Sequence, residues 1–344
     1  MELQLQQVRT VQNPFAITPV NVLKPVYTPQ VVEMESASFL PQQARKPFIE
    51  ANTKEVTMPH LKNDCIIPVW SKDNEITISH NSFIEATWEC VSKLFRNETI
   101  CEPDIRVSHV PEAIHKSVKE LTDADKTIYY ERMMFCIEIP SITEDICGNK
   151  LNLTVGGIRA YNHENLYSRK GMEKFKVFIG FVNTVCSNLC VWTDGLCEEI
   201  KVTNTTDLMA KVIELLVSYN AKKHLDLMRS FQNYSLTESQ FAQFLGKSRL
   251  YQCLPNGSRK QFPQFLMTDT QINLVARSYY HDEAFGVSRV GENLDMWKIY
   301  NLLTTANKSS YIDNFSERAL NVTHISEGIT KALNGDEQYR WFIE

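Results

Sequence analysis

The sequence predicts an α+β fold, in which an antiparallel sheet over about residues 65–203 is followed by a mostly helical C-terminal half. Segments rich in β-branched and aromatic residues, each bounded by turn-forming residues, indicate strands at 127–140, 150–162 and 174–185. Antiparallel pairing is favoured because few of the links between them could hold a crossover helix. From Asp207 onward the apolar residues recur with helical periodicity instead.

Composition and charge limit the classes of protein to consider. The 344 residues are 43% hydrophobic and 22% charged, which is average for a globular protein and enough for a sizeable core. The net charge of -5 argues against a protein that coats duplex DNA, because such proteins are far more basic. Any contact with nucleic acid is therefore expected to be local.

The sequence predicts a cytoplasmic protein. Its first residues lack a basic start followed by an apolar run, so no signal peptide is expected. No window approaches the roughly eighteen consecutive apolar residues of a membrane span. Nine scattered cysteines, an odd number, are typical of reduced thiols in a cytosolic protein.

Three parts are predicted along the chain. Residues 1–60 form a flexible leader, because the first fifty residues hold six of the thirteen prolines and seven glutamines but no glycine. A sheet-rich α+β core is expected over 61–205, and a helical part over 206–344 packs on it. One continuous domain formed by the last two parts is the alternative.

Local signals define the elements of the core. A short hairpin is predicted over residues 65–80, around the polar turn SKDN. A helix follows over 81–95 with a capping box at Ser82, and a second helix is predicted over 111–121. A further pair of strands is expected on either side of a turn at Gly195, whose role would be to supply a positive φ.

The C-terminal half is predicted to be a series of helices. Residues 207–234 indicate one long amphipathic helix. The next helix begins at a capping box of Thr237 and Gln240 and ends at Gly246. Further helices are expected over residues 270–280, 294–306, 310–322 and 325–333.

A cluster of three cysteines, Cys186, Cys190 and Cys197, raises the question of a metal or thiol site. Zinc sites usually combine a close Cys pair with a second pair of Cys or His, and this spacing has neither. Buried free cysteine packs as a small hydrophobe. Core or turn packing is therefore the favoured interpretation, with a metal or thiol site as the alternative.

Lys308 and Ser309 could suggest a Ser-Lys dyad, but adjacent residues on a helix point apart. Ser309 or Ser310 stands instead where a helix N-cap is wanted, and Asp313 would then place a negative charge near that N-terminus. Capping is the favoured interpretation of this stretch.

Catalytic carboxylates are difficult to pair from the sequence. Glu131 and Glu138 are seven residues apart on a predicted strand, so a regular strand sends them to opposite faces. The HExxH, GxSxG, GxxxxGK[ST] and GxGxxG motifs do not occur in the sequence. No catalytic residue, metal ligand or cofactor is predicted.

The best candidate site is a basic, aromatic hairpin over residues 159–176. It holds five Lys or Arg against two Glu, and cations that track the backbone beside stacking aromatic rings are how single strands are bound. A second basic stretch, 247–260, holds four Lys or Arg and no acid. An ordinary solvated hairpin is the alternative. The predicted nucleic-acid-binding residues are Arg159, Tyr161, Tyr167, Arg169, Lys170, Lys174, Lys176, Lys247 and Arg249.

Four stretches resemble one family: YYERMMFCIEIPSI, LTVGGIRAYNHENLYSRKG, EKFKVFIGFVNTVCSNLCVWTDG and IYNLLTTANKSSYIDNF. The family is domain of unknown function 3871, from Bacteroides-type bacteria, and the likeness runs from about Cys65 to Ala332. The chain is also distantly similar to a phage- and plasmid-borne family through a CxN segment at Cys186–Asn188. The resemblance implies mobile-element biology and a cytoplasmic setting, and it supplies no catalytic residues.

The sequence therefore predicts a mobile-element accessory protein that binds single-stranded nucleic acid without catalysis. One alternative is a hydrolase acting on nucleic acid, with carboxylates such as Glu131, Glu138 and Asp194. The other is a protein-binding modulator of a host system. No membrane partner is expected.

Overall fold

A six-stranded antiparallel sheet, ordered β1-β2-β3-β4-β5-β6, forms the centre of the fold. The computed structural model describes residues 46–108 and 129–344, so the predicted helix over 111–121 and most of the leader lie outside it. The strands are β1 Lys54–Val56, β2 Asp104–Ser108, β3 Arg132–Ile146, β4 Asn149–Ala160, β5 Glu173–Asn183 and β6 Leu189–Val202. The α+β prediction is confirmed, and the sheet begins inside the stretch predicted as leader.

Helices flank the sheet and make up most of the C-terminal half. They are α1 Met58–Asn63, α2 His80–Leu94, α3 Thr205–Ser218, α4 Ala221–Ser230, α5 Glu238–Cys253, α6 Asn256–Arg259, α7 Asp269–His281, α8 Met296–Asn307 and α9 Ile312–Leu333. A two-stranded sheet of β7 Ser235–Leu236 and β8 Leu294–Asp295 lies among them. Among the described residues, no helix combines the length and the apolar character needed to cross a membrane.

The two faces of the central sheet carry different layers. On one face Phe83 of α2 packs edge-on against Phe135, with ring centroids 5.2 Å apart. Gly157 of β4 leaves room for that ring, since a Cβ there would meet Phe83 at 2.4 Å. On the other face the start of α9 packs through Phe315 against a cluster that includes Phe48. The sheet is therefore buried between layers on both sides.

The predicted turn at Gly195 is wrong. Residues 189–202 form the single strand β6, and Gly195 is not among the glycines with positive φ. A Cβ at Gly195 would meet the carbonyl oxygen of Ile179 in β5 at 2.1 Å. The glycine is needed for this close approach between neighbouring strands.

The helical half has different boundaries from those predicted. The long helix over 207–234 is broken, because Tyr219 is extended and Asn220 caps the start of α4. The capping box of Thr237 and Gln240 is confirmed, but α5 continues past Gly246 to Cys253. The two last predicted helices form one helix, α9.

Two predicted caps are also wrong. The cap of α2 is Ser79, whose hydroxyl accepts the backbone N–H of Ser82, the residue predicted to be the cap. Tyr311 stands at the N-cap of α9 without a side-chain bond, while the Ser310 hydroxyl donates to Asn307 Oδ1 at 2.7 Å. Asp313 does lie in the first turn of α9, as expected.

The predicted hairpin over 65–80 has almost no ladder. A single antiparallel bridge joins Val69 to Ile76, and the Trp70 N–H donates to the Glu75 carbonyl at 2.9 Å. The backbone therefore turns back as predicted but forms no regular strands. Without a ladder, no sheet face buries the apolar side chains of this turn, and several of them are exposed.

Candidate functional site

Arg159, the first predicted nucleic-acid contact, is an interior residue of β4. It is only 1% exposed, and its Nη2 lies 2.7 Å from Glu173 Oε2 and 3.1 Å from Glu164 Oε1. Its guanidinium carbon also lies 4.0 Å from the centroid of the Phe175 ring. The phosphate role predicted for Arg159 is therefore withdrawn, because the cation is already matched and shielded from solvent.

Tyr161 is also buried, directly after β4. Its hydroxyl donates to the Ile78 carbonyl at 3.4 Å, and its ring lies 4.5 Å from His80 and 5.5 Å from Tyr129. Burial lowers the pKa of His80 to about 3, so this imidazole is neutral. Tyr161 therefore stacks on protein rings, and its predicted stacking on a base is withdrawn.

Lys170 fastens the β4–β5 loop to the 65–80 turn. Its backbone N–H donates to Asp73 Oδ2 at 2.6 Å, a bond that lowers the pKa of Asp73. Its ammonium donates to the Ile76 carbonyl at 3.1 Å and lies 3.6 Å from Glu173 Oε1. Lys170 thus serves a structural contact, with its head group only partly accessible.

Lys174 and Lys176 of β5 are both matched by carboxylates from elsewhere in the chain. Lys174 Nζ lies 3.5 Å from Glu199 Oε1, and Lys176 Nζ lies 2.7 Å from Glu317 Oε1. The positive surplus counted along residues 159–176 therefore does not persist in space. Charge counted over a short window missed these carboxylates because β6 and α9 bring them in from distant sequence.

The two predicted contacts of the second basic stretch also have partners within the protein. Lys247 Nζ lies 4.8 Å from the centroid of the Trp341 ring, and Arg249 Nε lies 2.6 Å from Asp269 Oδ1. Arg249 and Asp269 are both half-exposed, so this pair contributes little to stability. It nevertheless reduces the local field that a phosphate backbone would meet.

Tyr167 and Arg169 remain accessible at the tip of the β4–β5 loop. Tyr167 is 79% exposed, and Arg169 is exposed without an ion pair to any residue that the structure describes. These two side chains are therefore the part of the predicted nucleic-acid site that a surface ligand can reach most directly.

An exposed apolar surface, which the sequence did not predict, lies beside them. It is formed by the 66–76 turn and the tip of the β4–β5 loop, and we call it the turn–loop surface. Its large apolar side chains have exposed fractions between 40% and 79%: Ile66, Ile67, Val69, Ile76, Tyr167 and Met172. The apolar run CIIPV, residues 65–69, supplies part of this surface. In the sequence it predicts a buried strand, because nothing in it shows that the strand ladder is missing.

The two segments of the turn–loop surface are bonded to each other. The Ser71 N–H donates to the Leu166 carbonyl at 2.8 Å, and the Ile78 N–H donates to Glu173 Oε2 at 2.8 Å. With the bonds of Lys170, these contacts align residues 170–173 alongside residues 73–78. The surface is therefore one unit held by a buried carboxylate.

The carboxylates considered for catalysis are not brought together. Glu138 accepts a bond from Asn152 Nδ2 at 2.5 Å, and Glu131 lies 3.8 Å from Arg132 Nε. Asp194 is exposed on β6, which β4 and β5 separate from β3. Three strand spacings correspond to about 14 Å, so Asp194 and Glu138 cannot share a proton or a substrate atom.

The cysteine cluster is a packing feature. Cys186 and Cys190 are buried and belong to the main core, and burial raises the pKa of Cys186 to about 11 and that of Cys190 to about 12. Cys197 is only partly buried. Within residues 46–108 and 129–344, no group of three or more His, Cys, Asp or Glu side chains could hold a metal ion. The core and turn interpretation of Cys186 and Cys190 is confirmed.

The comparison with family models confirms one of the two resemblances, the one to domain of unknown function 3871. The family model described as "Domain of unknown function, B. Theta Gene description (DUF3871)" matches residues 28–343. The chain belongs to this family. The match extends beyond both ends of the resemblance drawn from the sequence motifs. No curated protein and no solved structure matches the chain. The family description names no activity.

Proposed function

We propose that this DUF3871 protein is a non-enzymatic factor that docks another protein on its turn–loop surface. The observation that carries the proposal is the set of six large apolar side chains exposed on two mutually bonded segments. Soluble proteins rarely expose large contiguous apolar patches, and such patches often mark interaction sites. This proposal corresponds to the alternative of a protein-binding modulator.

The surface is suited to docking because it is already formed. Glu173 is buried and holds both segments through Arg159, Lys170 and the N–H of Ile78. A preformed surface loses less conformational entropy on binding, so more of the contact energy is available as affinity.

Charge selects the partner. Lys72 and Arg169 are exposed on the turn–loop surface, Asp73 accepts the N–H groups of Glu75 and Lys170, and the exposed Glu75 carboxylate lies 3.9 Å from Lys170 Nζ. The matching partner is therefore a protein segment with apolar side chains and flanking Asp or Glu. A lipid surface fits less well, because two exposed cations on a chain of net charge -5 give weak attraction to anionic headgroups.

Single-stranded nucleic acid is the second candidate, in keeping with a mobile-element accessory role. Tyr167 and Arg169 place an exposed ring and an exposed cation two residues apart on one loop. This pairing is the smallest unit that stacks a base and contacts a phosphate. The aliphatic side chains around it and the matched lysines favour the protein partner.

The proposal is tested by photo-cross-linking in cells that carry the gene naturally. Benzoylphenylalanine replaces Tyr167, and for a matched control it replaces Leu250, which is 58% exposed on α5. We expect a discrete protein adduct from position 167 alone, lost when Ile76→Asp is added. The cross-linked protein is then purified and titrated, and Ile76→Asp should weaken its Kd at least tenfold. A nuclease-sensitive adduct would support the second candidate, and equal adducts from both positions would overturn docking at this surface.

A further inference from the structure

A cleft of about 450 Å³ opens where the start of α9 passes the end of β4 and the start of β5. This volume falls in the range of small-molecule sites. Its lining residues are Ile158, Ala160, His163, Lys174, Phe175, Lys176, Glu199, Asp313 and Glu317. The cleft therefore has an apolar floor and a charged wall.

The wall carries both signs of charge. Lys176 Nζ lies 2.7 Å from Glu317 Oε1 and donates to the backbone carbonyl of Asp313 at 3.3 Å. On the other side, Lys174 Nζ is 3.5 Å from Glu199 Oε1, beyond the usual length of a charge-assisted hydrogen bond. The Lys174–Glu199 pair is half-exposed and can reorganise around a ligand.

Asp313, in the first turn of α9, is one of the residues that line the cleft. Its Oδ1 is buried and has no hydrogen-bond partner among the described residues. It forms an ion pair with Arg132, whose Nη1 lies 3.6 Å away. Arg132 therefore already balances the charge of Asp313, and the more exposed Glu317 is the carboxylate of this wall that a ligand can reach.

We infer that this cleft binds a small zwitterion of the free amino acid class. The ligand ammonium group would donate to Glu317, and its carboxylate would accept from Lys174 and His163. A simple anion would face three carboxylates, and a simple cation would face two lysines, so the two-sign wall fits a ligand that carries both charges. The ligand side chain would lie on the apolar floor. This inference goes beyond the proposed function and does not depend on it.

Isothermal titration calorimetry with each of the twenty free amino acids tests the inference. We expect at least one of them to bind, and its N-acetyl amide, which lacks both charges, to give no heat. Lys174→Met removes the cation that faces the ligand carboxylate, and Glu317→Gln removes the anion that faces the ligand ammonium. Each variant should weaken the Kd at least tenfold. Both side chains are about 45% exposed, so the variants should fold, and thermal melting checks this. Lys211→Met on α3, exposed and outside the cleft, is the matched control.

Three results would overturn the inference. One is the absence of binding heat from all twenty amino acids up to about 10 mM with a folded protein, a concentration well above that of any useful site. The second is equal binding of an amino acid and its N-acetyl amide. Binding that survives both cleft variants while Lys211→Met also binds would likewise exclude this cleft. None of these results tests the turn–loop surface, which is tested separately by Ile76→Asp and by the cross-linker at position 167.

Discussion

The carboxylate of Glu173 lies 2.7 Å from the guanidinium of Arg159, and both side chains are fully buried. The same carboxylate oxygen accepts the N–H of Ile78 at 2.8 Å, and Glu164 supplies a second carboxylate to Arg159. Glu173 therefore joins β4, β5 and the 65–80 turn at one point. A structural role for this network explains why a basic stretch in the sequence is not a basic surface in space.

Replacing Glu173 by Gln should destabilise the protein and loosen the turn–loop surface. The substitution leaves Arg159 buried with one carboxylate in place of two, and breaking a buried ion pair costs about 3 kcal/mol in free energy of unfolding. Urea denaturation measures this change. Glu75→Gln is the control, because Glu75 is exposed and lies 3.9 Å from Lys170, so its effect should stay below about 1 kcal/mol. Equal effects of the two substitutions would contradict the role given to Glu173.

Gly195→Ala should be much more destabilising than Gly246→Ala. A Cβ at Gly195 would meet the Ile179 carbonyl oxygen at 2.1 Å, so β5 and β6 must separate, which we expect to cost about 3 kcal/mol. At Gly246, inside α5, a Cβ meets nothing within 4 Å, and alanine should stabilise the helix by about 1 kcal/mol. Thermal melting of both variants measures the two effects. A Gly195→Ala protein as stable as the wild type would mean that the close approach of the Ile179 carbonyl does not require glycine.

The fold class and many elements could be predicted because their signals are local. The capping box of Thr237 and Gln240 and the β-rich runs of β4 and β5 depend on residues close in sequence. Gly195 was misinterpreted because its cause is not local: the carbonyl of Ile179 belongs to another strand. A glycine beside an aspartate has the same local pattern whether it turns the chain or admits a neighbouring backbone.

The candidate site was predicted less well, also for a physical reason. The sequence placed Arg159 and Tyr167 in one group, yet one is 1% exposed and the other is 79% exposed. Burial of Arg159 depends on Phe175 and Glu173 closing over it, which a charge count cannot register. The turn–loop surface was missed because apolar runs predict burial, and the residues of this turn lack the sheet partners that would bury them.

Stability should fall as the pH drops below about 6.5, through two buried histidines. Burial lowers the pKa of both His80 and His224 to about 3, whereas each titrates near 6.5 when unfolded. Between these values the unfolded chain binds more protons than the folded protein does. The contribution of the two histidines to the free energy of unfolding is therefore fully present above pH 6.5 and is lost as the pH falls toward 3. Each histidine should contribute a slope of about 1.4 kcal/mol per pH unit.

His80→Gln tests this pH dependence. Nε2 of His80 donates to the Tyr130 carbonyl at 2.8 Å, and the amide of glutamine can make the same bond without taking up a proton. Urea denaturation at several pH values between 4 and 6 should give a slope smaller than that of the wild type by about 1.4 kcal/mol per pH unit. The exposed His163→Gln serves as the control and should leave the slope unchanged. An unchanged slope in His80→Gln would mean that His80 is not held neutral.

A labelled single-stranded oligonucleotide should bind the purified protein weakly, with a Kd above about 100 µM at physiological salt. The reason is that Lys174, Lys176 and Arg249 are already paired, so few cations can replace counterions on the phosphates. Fluorescence anisotropy at low and physiological salt measures the affinity, with a duplex for comparison. Tight, salt-sensitive binding that prefers the single strand and is lost in Tyr167→Ala would reverse the ranking of the two proposed functions. Weak binding that Tyr167→Ala leaves unchanged would leave the turn–loop surface to a protein partner.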